Sequence, residues 1–540
     1  MVYKKTAFAS LALVLLTSLL VVSCPPDVTP YVPLIEIHSA EDMAKIGVDA
    51  DYPLSATYLL AGDTTDITLA NWTPIGNETA PFTGVFDGQG KSINLTGFAP
   101  AALGGEYVGI FGCVRGGRAK AAIKNLTITS SVTGTTTRTS GQYAGLVTGR
   151  AENAVLETII LKGSFTYTSA NVIYLGGAAG EISAGTVVRN IDSTMNMDIK
   201  PGAAPTYHWV GGIAGRFIGG AGIENCHVTA NITADNVAAN GSGQVFVGGI
   251  TGGSQLDRAD GTNTPTYHGY IADCSFNGTL TGKAKGFWTY AGGIAGLTVG
   301  GNVNNSAATT RIVRCSVAGT VTVQGTSSSY PYVGGIVGYN NFGALVSQSY
   351  STAAVVGVNS NDYTGGIAGY NAQSITPYTA RIEDCWSGGT VTGSSNSGGI
   401  VGQNQQNAKV TRCYSIAAVS ATGGATGVGG IAGLNGYFPF ADGPFPNDVG
   451  GNIAACAALN VSITAGGGNT HRVIGDAQTN ATMSNNHARS GLTATGTGAG
   501  TADGADCAEK PNQAFYTGLG WNFTSVWKMG ADGYPQLKWQ

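Results

Sequence analysis

Arg311-Ile312-Val313-Arg314-Cys315-Ser316-Val317-Ala318-Gly319-Thr320-Val321-Thr322 is one copy of a frame that returns ten times along the chain. Its marks are an aliphatic residue, a small or sulfur-bearing apolar residue three later, and another apolar residue six after that. The middle column reads Leu126, Ile159, Ile191, Cys226, Cys274, Cys315, Ser349, Cys385, Cys413, Cys456. The column before it runs from Ile123 to Ile453. The column after it runs from Val132 to Val419, and the tenth copy places Ser462 there, between Val461 and Ile463. A period of about 20–50 residues marks a stacked repeat, in which each unit buries its apolar face only against its neighbours.

A glycine motif punctuates the same repeat. Close variants of Gly-Gly-Ile-Ala-Gly begin at Gly176, Gly211, Gly248, Gly292, Gly334, Gly365, Gly398 and Gly429, with starts 31 to 44 residues apart. The excess length falls in polar stretches such as 254–267 and 298–310, which read as loops. Alternating apolar residues between glycine corners predict short strands. The expected fold is all-β, a parallel β-helix of about ten rungs with N- and C-terminal caps. At a strand spacing of about 4.8 Å its axis measures on the order of 50 Å.

Composition is consistent with this. Charged residues make up 11% of the 540, below the usual quarter, and glycine is 84, about twice the average share. The net charge of −4 gives no footprint for nucleic acid. Lys4 and Lys5 precede an apolar run from Ala7 to Leu20 and then Val21-Val22-Ser23-Cys24. This reads as a targeting segment. The aliphatic–small–Cys ending resembles a bacterial lipobox, which implies cleavage before Cys24 and lipidation of its thiol. The division is then 1–23 signal peptide, 24–35 lipidated Cys24 and Pro-rich tether, 36–100 N-terminal cap, 101–490 repeat helix and 491–540 C-terminal cap. Within the N-terminal cap, Ser39 with Asp42 predicts a short helix to about Ile46. Strands follow near Tyr58–Leu60 and Ile67–Leu69, with a turn at Phe86–Gly90 before a strand at Ile93–Leu95.

The glycine motif resembles the GLUG repeat. Trp72-Thr73-Pro74-Ile75-Gly76, Phe82-Thr83-Gly84 and Phe86-Asp87-Gly88 resemble the segment that precedes such repeats in bacterial surface proteins. Gly520-Trp521, Trp527 and Gly533-Tyr534-Pro535-Gln536-Leu537 resemble their C-terminal segment. The resemblance spans about residues 36–540. It implies a right-handed parallel β-helix and extracellular work, with no fixed activity. Such repeats also occur beside the catalytic domain of IgA-specific metallopeptidases, but this chain has no HExxH, and its six histidines show no ligand spacing.

Six of the cysteines share a column with Leu, Ile and Ser, which describes a small inward position rather than a ligand set. Disulfides between rungs would be strained at this spacing. Free buried thiols are therefore expected, without metal or cofactor; Cys113 and Cys507 lie outside the column. Glu383-Asp384 beside Arg381 is the best carboxylate pair for glycosidic hydrolysis. However, Asp273, Arg314, Asp384 and Arg412 share one column, which reads as an ion-pair ladder. Asp503 and Asp506 fall short of a calcium ligand set.

Three further columns could meet a partner. Thr279, Thr281, Thr320, Thr322, Thr390 and Thr392 flank inward apolar residues and point out, forming the candidate binding face. Ser131/Thr133 and Ser164/Thr166 extend it, and Ala354/Val356 interrupts it. Tyr174, Trp209, Phe246, Tyr290, Tyr332 and Tyr363 lie two residues before the glycine motif, and strand parity with the motif's Ile places them in the core. Asn340, Asn371, Asn404 and Asn435 read as a structural amide ladder. The expectation is a non-enzymatic surface lipoprotein, anchored at the outer membrane through Cys24, that binds extracellular glycan or protein. The alternatives are a polysaccharide lyase or hydrolase on the same fold and a structural envelope component.

Overall fold

The computed structural model describes residues 32–540 apart from several short stretches, the longest being 256–268, 301–309 and 437–449. Cys24, the expected lipidation site, and parts of both predicted loops lie outside the described residues. Residues Leu34–Gln540 form one unit.

Each repeat supplies three to five strands. In the copy quoted above they are Arg311–Val313, Ser316–Gly325, Tyr330–Gly334 and Val337–Asn341. The first two join a long first sheet, the third a second sheet and the fourth a third sheet. Every pairing between successive repeats is parallel and in register, for example Ile312 with Val346 and Val321 with Val355. The second and third sheets hold eleven strands each, one more than the ten copies of the frame. The fold is all-β, built of long stacked parallel sheets, the arrangement of a β-solenoid. Isoleucine, valine and leucine from all three sheets fill one continuous core.

Two local devices turn the chain. The first lies in the first sheet, between consecutive strands on most rungs and inside a continuous strand at Asn125, Thr158 and Asn190. Asn125, Thr158, Asn190, Asn225, Asp273, Arg314, Gln348, Asp384, Arg412, Ala455 and Asn485 all have φ between 47° and 56°. This left-handed conformation costs most residues energy, and Asn and Asp least. The next residue on most rungs is the Leu/Ile/Cys/Ser column. Its side chain closes the kink: the Cys274 thiol donates to Ala272 O at 3.2 Å, Cys385 to Glu383 O at 3.2 Å, and the Ser349 hydroxyl to Ser347 O at 2.8 Å. Cysteine and serine thus share a column because both are small donors.

The second device is the glycine corner between the second and third sheets. A Cβ at Gly335 would lie 2.1 Å from Gly366 O, and one at Gly338 would lie 2.6 Å from Gly296 O and 2.7 Å from Ala291 N. The two backbones approach too closely there for any side chain.

The N-terminal segment follows the predicted elements with one difference. Ser39 caps the helix Ala40–Lys45 by accepting from Asp42 N, and strands form at Thr57–Leu60 and Asp66–Leu69. The expected turn at Phe86–Gly90 is instead a bulge inside the strand Val85–Leu95, where Gln89 and Gly90 adopt positive φ and the register shifts between Asp87 and Lys91. Ile35, Tyr58 and Phe86 pair in series with Ile123, and Asp66–Leu69 pairs with Val85–Leu95, so the segment assigned to a cap extends the first sheet by four strands. At the other end Val419 pairs with Ile463 rather than Ser462, which absorbs the slip in the tenth copy.

Residues beyond 507 do not sit over the end of the stack. The helix Gln513–Gly518 and the hairpin Trp527–Met529/Pro535–Leu537 pack sideways on the outer face of the first sheet. Beneath them Tyr350, Trp386 and Tyr414 stack at 4.8 and 5.7 Å. Trp539 Nε1 donates to Gln348 O at 2.9 Å, Trp521 Nε1 to Ala455 O at 2.9 Å, and Tyr414 OH to Pro535 O at 2.5 Å.

Candidate binding faces

The threonine columns lie where alternation places them, on the outer face of the first sheet. Thr279 pairs with Thr320 and Thr281 with Thr322; Ala354 and Val356 occupy the next rung, and Thr390 and Thr392 resume beyond it. Thr279 and Thr390 are exposed, and Thr281, Thr320, Thr322 and Thr392 are half-buried. The hydroxyls also meet along the axis, as at Thr392 and Ser420, 3.2 Å apart. The six residues thus share one face but fall into two groups separated by an apolar rung.

The acidic and basic residues of the kink column pair as a ladder. Arg314 grips Asp273 through two contacts of 2.6 Å, and Arg412 grips Asp384 through two of 2.8 Å. These hydrogen bonds hold both guanidinium pKa values up. Asp384 also accepts from Trp527 Nε1 at 3.2 Å, and Glu383 accepts from Arg412 and Arg381 at 3.2 and 3.4 Å. The carboxylate pair singled out for hydrolysis is therefore bound up in docking the C-terminal segment. Asp503 and Asp506 both turn to Arg472, accepting from its backbone N at 2.9 Å and its guanidinium at 2.6 Å.

The eight cysteines from Cys113 onward are free and buried. Burial pushes the Cys274 and Cys315 thiols well above the ordinary range and Cys113 and Cys507 up to about 11. Asn340, Asn371, Asn404 and Asn435 are buried and linked amide to amide at 2.8, 2.8 and 3.0 Å.

The aromatic column departs from expectation. Val210, Val247, Ala291 and Val333 belong to the core, whereas Trp209, Phe246, Tyr290, Tyr332 and Tyr363 form a separate cluster on the opposite side of the second sheet. The parity count failed because the motif's Ile lies beyond the glycine corner, where alternation is broken. The rings extend back through Tyr143 to Tyr107 and stack on one another at 3.9 to 6.2 Å. Their faces are occupied by their neighbours.

Third-sheet residues pack against this stack. Tyr339 and Tyr370 approach Tyr332 at 5.6 and 5.0 Å. Nearer the N-terminus, Arg216 lies 4.0 Å over the Tyr174 ring and donates to Glu181 Oε2 at 2.9 Å, while Arg150 reaches Glu181 Oε1 at 3.3 Å. Burial pushes the Tyr143 phenol up to about 12. Glu181 is buried between two arginines, so this cluster is a closed ion network.

Sequence reasoning missed a second outward column, two residues before the first: Tyr207, Gln244, Trp288 and Tyr330. Its signal was available, since a residue two positions from an aromatic in a strand shares its face. Tyr207 and Trp288 are each 42% exposed.

Among the described residues, no group of three or more His, Cys, Asp or Glu is placed to hold a metal ion, and no helix is long and apolar enough to cross a membrane. No family model matches the sequence, and no curated protein does. Among solved structures, the chain is similar to one described as a proposed immunoglobulin A1 protease from Bacteroides ovatus, at 13% identity over 94% of this chain and 93% of that one. Its TM-score of 0.23 carries no argument about fold or function.

Proposed function

We propose that this chain is a surface-exposed binding scaffold, a right-handed β-helix held to the outer membrane through lipidated Cys24 and the Pro-rich tether. It presents the outer face of its first sheet to extracellular glycan or protein. The observation that supports this reading is the pair of in-register columns containing Thr279, Thr320 and Thr390, and Thr281, Thr322 and Thr392. Hydroxyls repeated at the rung spacing of about 4.8 Å offer donors and acceptors to an extended ligand without requiring charge. Proteins of similar build act through such surfaces because solenoids create long binding faces.

The test is an array of glycans and extracellular matrix proteins probed with the full chain, with release of reducing ends recorded on every polysaccharide hit. Saturable binding without release, weakened about tenfold by the double substitution Thr279→Lys/Thr320→Lys, is the expected result; a loss of that size is 1.4 kcal/mol. Release of reducing ends would replace the scaffold with an enzyme. Absence of any binding partner would leave a structural envelope role.

A further inference from the structure

We propose that the outward column Tyr207, Gln244, Trp288 and Tyr330 on the second sheet is a binding site for a neutral, extended β-linked polysaccharide. This rests on reading the chain as an extracellular scaffold, but it uses a different face from the threonine columns.

The register is continuous. Tyr207 pairs with Gln244, and Trp288 with Tyr330. Val245 opposite Thr289 sets Gln244 against Trp288 between them. Inward neighbours fix the direction: His208 and Thr289 are buried, so Tyr207 and Trp288 must face out. The column one step closer to the glycine corner is spent on stacking within itself, with Trp209 on Phe246 at 3.9 Å and 9° and Tyr290 on Tyr332 at 5.2 Å and 7°. It forms a rigid aromatic floor, while Tyr207 and Trp288 keep 42% of their surface in solvent.

The chemistry of the column selects the ligand. It holds three aromatic residues and one amide, and no charged residue stands in it. The facing columns are uncharged from Phe246 to Tyr363 and from Gly253 to Leu434, and on the rung of Tyr207 the third-sheet Arg216 is already neutralised by Glu181. An uncharged surface offers nothing to a uronate chain or an acidic peptide. The strand backbones are hydrogen-bonded on both sides, so no open edge invites a peptide to add as a strand. What remains is a ligand with apolar C–H faces and neutral hydroxyls. Aromatic rings take the first, with the polar tips of Tyr and Trp kept wet, and the Gln244 amide serves the second as donor and acceptor. One rung rises about 4.8 Å, close to the length of one pyranose in an extended β-linked chain. Tyr207 and Trp288, two rungs apart, then meet alternate sugars that present the same face.

The full chain would be titrated with cellohexaose by calorimetry and tryptophan fluorescence, with hexagalacturonate as the charged comparison. Cellohexaose is expected to bind and hexagalacturonate not. Trp288→Ala and Tyr207→Ala are each expected to weaken binding about tenfold, the loss of one stacking ring, and Gln244→Trp to strengthen it. Thr279→Lys/Thr320→Lys should leave it unchanged. Absence of cellohexaose binding would overturn the proposal. So would binding indifferent to both aromatic substitutions, or lost only in the threonine variant; that last result would leave the first-sheet face standing as the scaffold's site.

Discussion

His208 makes the stability of this stack depend on acid in a calculable way. It occupies an inward column of the second sheet, between Ile173 and Val245 on the neighbouring rungs, and is fully buried. Burial disfavours the imidazolium and holds its pKa down at about 4, against 6.5 for the free group. A histidine with a depressed folded pKa is bound in its neutral form. Above pH 6.5 both folded and unfolded chains carry it neutral, and the full stabilisation is present. As pH falls from 6.5 towards 4, the unfolded chain takes up the proton and the folded one does not, so stability drains away. A displacement of about 2.5 units at 1.36 kcal/mol each amounts to about 3 kcal/mol. His208→Val, matched to its neighbour Val245, removes the titrating group and fills the column. Urea midpoints for the native chain and the variant would be compared at unchanged slope from pH 8 to pH 4. Their difference is expected to shift by about 3 kcal/mol in favour of the variant across that range. Parallel curves would refute the reasoning, since every other ionisable group is common to both proteins.

The amide ladder is the next test. Asn371→Ala removes donors to Asn404 Oδ1 and Lys409 O at 2.8 and 3.2 Å and the acceptor of Asn340 at 2.8 Å. The Asn340 amide keeps Ala344 O and Arg381 O as acceptors, so stranding the other two groups at about 1–3 kcal/mol each predicts a loss of about 2–6 kcal/mol by urea denaturation. The thiols offer a kinetic check: a thiol-specific disulfide reagent should leave the eight buried cysteines of the native chain untouched for hours and titrate all eight in guanidinium.

The repeat was legible because its period is imposed by geometry. Columns such as Ile312, Cys315 and Val321 must face inward on every rung, and the sequence records that constraint openly. The Asp273–Arg314 and Asp384–Arg412 ladder and the Asn340–Asn435 ladder were legible for the same reason, being in register. The aromatic column was misplaced because parity was carried from Tyr332 to Ile336 across a corner, and a count of two has meaning only within one strand. The left-handed kink was hidden behind residue variety: Asn225 suggests it, Arg314 and Gln348 do not. The lateral docking of residues 513–540 could not be read at all, because its partners Tyr350, Trp386 and Tyr414 are remote in sequence and resemble ordinary strand residues.

That lateral packing changes how the stack can come apart. Repeats that touch only their neighbours fray one at a time from an end, and the loss of each rung is a separate, small event. Trp539 bonded to Gln348 O and Trp521 to Ala455 O tie rungs that are otherwise strangers. The rungs from Gln348 to His487 then behave as one block, which opens only after the brace has been lifted as a whole. Because the brace is made of the chain's last residues, those rungs must already be wound before it can close, so its docking reports that the stack beneath has been built in the correct register.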